Sequence, residues 1–145
     1  MTTTYTQTLH DATSLDSVLV ADAMHSGTVT CYHDASLSTV ARLMAAHRIH
    51  AVVVELSAGD DGWALVSDLD VVGAATKGTL RDCSSAQIAS TPAVFVRTSD
   101  TVARAAQLMR EYETHHVIVL GASGRPVGII STLDVADVLA ELRPS

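Results

Sequence analysis

The chain has 145 residues, of which 48% are hydrophobic and 17% charged, and its nine basic and sixteen acidic side chains give a net charge of −7 with the histidines neutral. This is the composition of an ordered, core-forming chain, and its length fits one compact domain or two small halves that share a core. The negative charge argues against nonspecific nucleic-acid binding, which needs clustered Lys and Arg, and an aromatic content of 3% leaves few platforms for base stacking.

The sequence contains no signal for membrane insertion or secretion. No apolar run approaches the roughly 20 residues that span a bilayer, and the polar, Thr-rich residues 1–16 lack the basic and apolar regions of a secretory signal. Cys31 and Cys83 form no CxxC pair, so nothing indicates a disulfide or a zinc site. We expect a soluble, cytoplasmic protein whose first sixteen residues are a candidate disordered tail.

The first half of the chain predicts one series of strands and helices. Ser36 is suited to cap a helix, because its side chain can accept a hydrogen bond from a free backbone N–H group of the first turn. Apolar residues recur at helical spacing as far as Met44, and the β-branched run from Ala51 is typical of a strand buried on both faces. In chain order we predict an apolar lead-in over 18–24, a strand over 28–32, a helix over 37–48, strands over 51–56 and 63–66 joined by a turn at 59–62, and a helix over 68–76.

The second half predicts the same series again. Thr101 takes the place of Ser36 as the helix cap, and Pro144 ends the last helix. In chain order we predict a connection over 77–83, a short helix over 84–90, a strand over 94–97, a helix over 102–112, strands over 117–120 and 127–130 joined at 121–124, and a helix over 132–142.

An internal repeat relates the two halves. A shift of 65 residues places 36–54 on 101–119, and a shift of 64 places Ser67 and Asp70 on Ser131 and Asp134. One unit of about 55 residues is marginal alone, whereas two copies packed sheet to sheet about a pseudo-twofold axis would bury their apolar faces. We predict an α/β (α+β) fold of two β-α-β-β-α repeats, divided into a tail over 1–16, repeats over 17–76 and 84–143, and a connector over 77–83.

The repeats also carry a family likeness. It rests on the opening run at 20–24 (VADAM), the Leu-Met pair that ends the first long helix of each copy, the β-branched strand after it, and the closing Ser-x-x-Asp. Over about residues 18–142 the chain resembles a tandem pair of CBS domains, also called a Bateman module. The second copy matches better, with Gly128 where the first has Ala64, and this favours Asp134 over Asp70 as the ligand-binding acid. Both copies lack the family's common proline before the middle strand, where Ala51 and His116 stand.

The resemblance implies a nucleotide site at each Ser-x-x-Asp element, in a cleft between the repeats. Each element lies where a strand becomes a helix, so a phosphate can sit on the free N–H groups of the first turn. In nucleotide-binding members of the family the serine contacts phosphate or ribose and the acid accepts hydrogen bonds from ribose hydroxyls. The roles fall here on Ser67 with Asp70 and on Ser131 with Asp134. The alternative from the residues alone is a capping box, in which serine and acid satisfy the helix start.

The resemblance also implies a slot for the purine ring and a group of side chains that face the phosphate. The slot would be lined by Val29 and Ala51 in one copy and by Val94 and His116 in the other, although small apolar residues at strand starts are more often ordinary core. The His-Arg pair that faces phosphate in relatives is reduced here to histidine, and the histidines can also be ordinary hydrogen-bonded residues. The phosphate-side candidates are His50, His115, Lys77 and Arg81; we expect no metal site.

We find no catalytic constellation, since the sequence has neither a GxSxG elbow nor a GxxxxGK[ST] loop. The prediction is a stand-alone regulatory module, not an enzyme. It would bind AMP, ADP, ATP or a related adenosyl compound without an obligatory cofactor and act on an unknown effector protein. The family implies a homodimer that pairs through helices 37–48 and 68–76 and their second-copy equivalents. The alternatives are a ligand-free dimeric interaction module and, against the composition, a small enzyme or nucleic-acid binder.

Overall fold

The fold is mixed α+β with two sheets, as the sequence predicts. The computed structural model describes residues 14–56, 62–78, 83–89 and 93–142. The strands are β1 (His25–Ser26), β2 (Thr30–Tyr32), β3 (Ala51–Glu55), β4 (Trp63–Ser67), β5 (Phe95–Arg97), β6 (His116–Leu120) and β7 (Pro126–Ser131). The helices are α1 (Val20–Ala23), α2 (Leu37–His47), α3 (Asp68–Thr76), α4 (Ser85–Ile88), α5 (Val102–Glu111) and α6 (Thr132–Glu141), preceded by a 3-10 turn at Leu15–Ser17.

The predicted elements are all present, and most agree within two residues at each end. The largest differences are the strand predicted over 28–32, which is confined to Thr30–Tyr32, and the short helix predicted over 84–90, which is confined to Ser85–Ile88. Most of the turn predicted at 59–62 and of the connection at 77–83 lies outside the described residues. Within the described ranges, no helix has the length and apolarity that a membrane crossing needs.

The chain divides into two compact units. The central unit is Thr28–Ala93, and the terminal unit combines Met1–Gly27 with Val94–Ser145. Residues 18–27, which open the first repeat in sequence, are therefore packed with the second repeat in space. The two repeats are consecutive in sequence, but the compact units do not divide the chain at the same places. The segment that opens the first repeat belongs to the unit that contains most of the second repeat.

The central unit is built on the three-stranded sheet β2-β3-β4. Strand β2 runs parallel to β3, and β3 runs antiparallel to β4 with Ala51 opposite Ser67. Val52, Val53 and Val54 are fully buried, as the β-branched run predicts for a middle strand. Helix α2 begins where the Ser36 side chain accepts a hydrogen bond from the Thr39 N–H group, and its buried residues, including Val40, cover one face of the sheet.

The terminal unit has a four-stranded sheet in the order β1-β7-β6-β5. The extra strand β1 pairs antiparallel with β7, placing Ser26 opposite Gly128. A Cβ atom at Gly128 would overlap the His25 carbonyl oxygen and lie 3.0 Å from Met24 Sδ. Glycine is therefore required at position 128 by the close approach of the β1 backbone.

Replacing Gly128 with alanine is expected to lower the free energy of unfolding by about 1–3 kcal/mol, because the new methyl group must push β1 away from β7. Gly73→Ala is the matched control. Gly73 lies inside α3, and a Cβ atom added there would meet no neighbouring atom within 4 Å, so alanine should stabilise by about 0.5–1 kcal/mol. Urea unfolding of the three proteins measures both changes. Equal effects of the two substitutions would contradict the close approach at β1.

Candidate functional site

The two Ser-x-x-Asp elements form capping boxes at equivalent strand-to-helix junctions. At the start of α3, the Ser67 N–H group donates to Asp70 Oδ2 at 2.9 Å, and the Asp70 N–H group donates to Ser67 Oγ at 3.2 Å. At the start of α6, the corresponding distances between Ser131 and Asp134 are 2.8 and 3.2 Å. The capping alternative is therefore correct for both elements, and any ligand role is additional to it.

Asp134 is bound on both of its carboxylate oxygens. Its Oδ2 atom accepts from the Ser131 N–H group and from the Ser131 hydroxyl at 3.0 Å, while its Oδ1 atom lies 2.9 Å from His25 Nδ1. The carboxylate is almost fully buried, whereas the side chain of His25 is 77% exposed. His25 therefore covers an acid that the sequence analysis placed in the ligand site.

Asp70 has a more accessible environment. The residue is half-buried, and the neighbouring histidine, His50, is bound to a different acid: its Nδ1 atom lies 2.9 Å from Asp68 Oδ2, with both side chains exposed. A histidine therefore meets an aspartate near each junction, but only in the terminal unit is that aspartate the capping one. His25 could not be identified from local sequence patterns, because its contact with Asp134 depends on the pairing of β1 with β7. Gly128, which permits that pairing, was the available signal.

The proposed purine-slot residues lie beside the capping serines. In the central unit Ala51 is paired with Ser67, and the Val29 carbonyl accepts from the Val53 N–H group two residues further along β3. Val29, Ala51 and Ser67 therefore lie across neighbouring strands at one end of the sheet. The terminal unit repeats this arrangement with Val94, His116 and Ser131, where His116 is paired with Ser131 and the Val94 carbonyl accepts from Ile118.

The first-turn amides of α3 are already used. The Asp68 N–H group donates to the His50 carbonyl at 2.8 Å, the Leu69 N–H group to Asp68 Oδ1 at 2.9 Å, and the Asp70 N–H group to Ser67 Oγ. None of these three donors remains for the phosphate that the sequence analysis placed there. In α6 the Thr132 N–H group likewise donates to the His115 carbonyl at 3.0 Å. The first-turn amides of α3 are therefore not open to a phosphate in this conformation.

The phosphate-side candidates are only partly brought together. His50 and His115 lie at equivalent positions, each accepting a hydrogen bond at its carbonyl from the first residue of the following helix. Lys77 is exposed and follows the last turn of α3, about 15 Å along the helix from Ser67 at 1.5 Å per residue. Arg81 lies outside the described residues.

The histidine and cysteine side chains in the described part of the chain form no metal site. No three His, Cys, Asp or Glu side chains come together there in a way that could hold a metal ion. Cys31 and Cys83 are both free thiols. Burial raises the pKa of the Cys31 thiol, an effect opposed by its hydrogen bond with Ser85, and a raised pKa disfavours the reactive thiolate.

Comparison with known proteins gives one family and a large set of similar structures. The CBS domain model matches residues 20–76 and 85–141. No curated protein matches the chain. A CBS domain protein from Pyrobaculum aerophilum, complexed with AMP, is 26% identical with a TM-score of 0.75, over 86% of this chain and 98% of that one.

Two other solved structures illustrate the range of the match. A CBS-domain protein from Agrobacterium tumefaciens is 26% identical with a TM-score of 0.71, over 83% of this chain and 92% of that one. The CBS domain pair of protein MJ0100, in complex with 5′-methylthioadenosine and S-adenosyl-L-methionine, is 18% identical with a TM-score of 0.74, over 85% of this chain and 96% of that one. At that identity the last match shows the fold alone.

The two capping acids are expected to differ in their contribution to stability. Asp134→Asn keeps an acceptor for the cap but removes the buried anion bound by His25, and should lower the free energy of unfolding by about 1.5–3 kcal/mol. Asp70→Asn, at a half-buried cap, should cost about 0.5–1 kcal/mol.

Urea unfolding of both variants measures this difference. Adding His25→Ala isolates the contact, since it should have a smaller effect in the Asp134→Asn background than in the wild type. Additive effects of His25→Ala and Asp134→Asn would show that the contact is not formed in solution.

Proposed function

Because the chain belongs to the CBS domain family and carries two repeats of that domain, we propose that it is a regulatory module that binds an adenine nucleotide or a related adenosyl compound. The observation that carries the proposal is the repeated group of a capping serine and aspartate beside an apolar strand edge. This group combines acceptors for ribose hydroxyls with an apolar surface for the purine. Ligand binding would act on an effector protein by favouring one arrangement of the module over another.

The ribose hydroxyls are proposed to bind Asp70 and Asp134. A carboxylate has about four acceptor positions, so one that caps a helix can still accept from a ligand. The adenine ring would lie against Val29 and Ala51 in the central unit and against Val94 and His116 in the terminal unit. The support is that strand pairing places each set at the same end of its sheet as the capping serine.

Phosphate groups would be bound by His50 and His115. His50 Nδ1 lies against Asp68, so a neutral ring that donates from Nδ1 leaves only an acceptor at Nε2. The ring gains an Nε2 donor for phosphate when it is doubly protonated. Positions 51 and 116 carry no arginine, so histidine is the cationic group proposed to meet phosphate there. A histidine that must be doubly protonated favours ligands with few phosphate groups.

The terminal site is proposed to need one displacement: a ligand at Asp134 must displace the His25 side chain from Oδ1. The preference for Asp134 in the sequence analysis was based on Gly128. The approach of the β1 backbone also requires that glycine, so the glycine alone does not favour a ligand at Asp134.

A thermal-shift screen with AMP, ADP, ATP, NAD and S-adenosylmethionine tests ligand binding. At a hundred times the dissociation constant, the true ligand should stabilise the protein by about 2.7 kcal/mol. Asp70→Asn and Asp134→Asn should each reduce the shift. Asp137→Asn is the matched control, since Asp137 is an exposed acid on the same helix as Asp134. Equal shifts in all three variants would contradict the residue assignment.

The second candidate function is a ligand-free interaction module. It is favoured by the capping boxes, which account for both Ser-x-x-Asp elements without any ligand. In that case none of the five compounds changes the melting temperature.

The module is also proposed to form a homodimer through its second helices. Leu69 and Val72 on α3 are 68% and 56% exposed, and Leu133 and Leu139 on α6 are 65% and 54% exposed. Both helices therefore present apolar side chains on the face turned away from their own sheet. Association of two copies would remove these surfaces from water.

The double substitution Leu69→Lys/Leu133→Lys is expected to raise the dimer dissociation constant by at least about a hundredfold, because each leucine contributes about 1.5–3 kcal/mol when buried. Sedimentation equilibrium measures the constant. Tyr32→Lys is the control, since Tyr32 is as exposed as Leu69 but lies on strand β2. A wild type that stays monomeric, or a control that dissociates equally, would contradict the proposed dimer.

A further inference from the structure

The two histidines proposed to face phosphate have different neighbours at the first residue of the following helix. In the central unit this residue is Asp68, and in the terminal unit it is Thr132. The backbone contact is the same at both junctions: the Asp68 N–H group donates to the His50 carbonyl at 2.8 Å, and the Thr132 N–H group to the His115 carbonyl at 3.0 Å. The side chain at this position therefore differs while the backbone geometry is kept.

The side chain of Asp68 supplies acceptors at the central junction. Its Oδ1 atom accepts from the Leu69 N–H group at 2.9 Å, and its Oδ2 atom lies 2.9 Å from His50 Nδ1. A phosphate that approaches this junction would meet a carboxylate already bound to the donors that the phosphate needs, and the two negative charges would repel each other. When Nδ1 donates to Asp68, the neutral imidazole of His50 presents a further acceptor at Nε2. The central junction therefore suits a ligand group that donates hydrogen bonds.

The terminal junction supplies donors instead. Thr132 carries a hydroxyl group, which can donate to a phosphate oxygen where a carboxylate cannot. Thr132 and His115 line an open groove of about 610 Å³ between α5 and α6, and Arg110 lines the same groove. A guanidinium group can bind a phosphate through two parallel N–H donors. These three side chains therefore suit an anionic ligand group.

Net charge alone does not separate the two junctions. The central unit has one cation and one acid near its histidine, Arg48 and Asp68, and the terminal unit also has one of each, Arg110 and Glu113. The difference is the place of the acid. Asp68 is bound to the histidine itself, whereas no ion pair joins an acid to His115 within the described ranges. A ligand group that reaches the histidine therefore meets a carboxylate only in the central unit.

We propose that Asp68 is a specificity-determining residue, through which the central site prefers adenosyl compounds that lack a 5′-phosphate. The 5′ substituent of such a ligand donates a hydrogen bond or carries a positive charge, as a hydroxyl or an ammonium group does. The terminal site, with Thr132 at the equivalent position, prefers a 5′-phosphate. The proposal rests on the adenosyl ligand under "Proposed function" and narrows the phosphate contact proposed there to His115.

Adenosine and AMP differ only in the 5′-phosphate, so the ratio of their dissociation constants measures the preference. Calorimetry in an Asp134→Asn background reports on the central site, and calorimetry in an Asp70→Asn background reports on the terminal site. The central site should bind adenosine about fivefold more tightly than AMP, the effect of one charge contact in an exposed site. The terminal site should bind AMP more tightly than adenosine. A central site that prefers AMP would overturn the proposal.

Exchange of the two side chains tests the residue itself. In the central site Asp68→Thr should strengthen AMP binding about fivefold and change adenosine binding less than about twofold. Thr132→Asp should weaken AMP binding at the terminal site by a similar factor, and it tests the same chemistry if Asp68→Thr does not fold. Asp34→Thr is the matched control, because Asp34 is an exposed acid that follows β2 at the opposite end of the sheet from Ser67.

The outcomes separate this proposal from the proposed function. If Asp68→Thr and Thr132→Asp change the binding of adenosine and AMP equally, the residue does not distinguish phosphate and the proposal is overturned, while the adenosyl ligand stands. A control variant that changes the ratio as much as Asp68→Thr also overturns it. If the wild type binds neither compound nor any other adenosyl ligand, both the proposal and the proposed function fail.

Discussion

The carboxylate of Asp134 joins three parts of the terminal unit. It completes the capping box of α6 through Ser131, and through His25 it is bound to a strand near the start of the first repeat. A buried carboxylate is stable only when its oxygens are bound, and here both are. The pairing of β1 with β7, the glycine at 128 and the position of His25 together supply the second of these contacts.

This constraint explains why two copies of one motif are not equivalent. Asp70 and Asp134 make the same cap, and Asp134 is also bound by His25. In the central unit His50 is paired with Asp68, at the first residue of the helix. The two copies of the motif therefore have different histidine contacts. The two copies also differ at Arg48 and Glu113, which share a positive φ of 53° and 51° but carry opposite charges.

Local patterns predicted most of the fold. Helical spacing, cap residues and the β-branched runs identified the helices and strands, because these signals lie within a few residues of the element concerned. The capping boxes were predicted for the same reason. The contact between His25 and Asp134 could not be read in this way, since it joins residues more than a hundred positions apart. The hydrogen bonds from the α3 amides to the His50 carbonyl and the Asp68 side chain were not predicted either. They depend on where strand β4 ends and α3 begins.

The response of His25 to ligand binding tests the account most directly. In an Asp70→Asn background, where Asp134 is the remaining acid, the Nδ1 resonance of ¹⁵N-labelled His25 can be followed during a titration with AMP. The account predicts that this resonance shifts with the midpoint found by calorimetry, because the ribose hydroxyls replace the imidazole at Oδ1. If AMP binding depends on Asp134 but the His25 resonance stays unchanged, the account is contradicted.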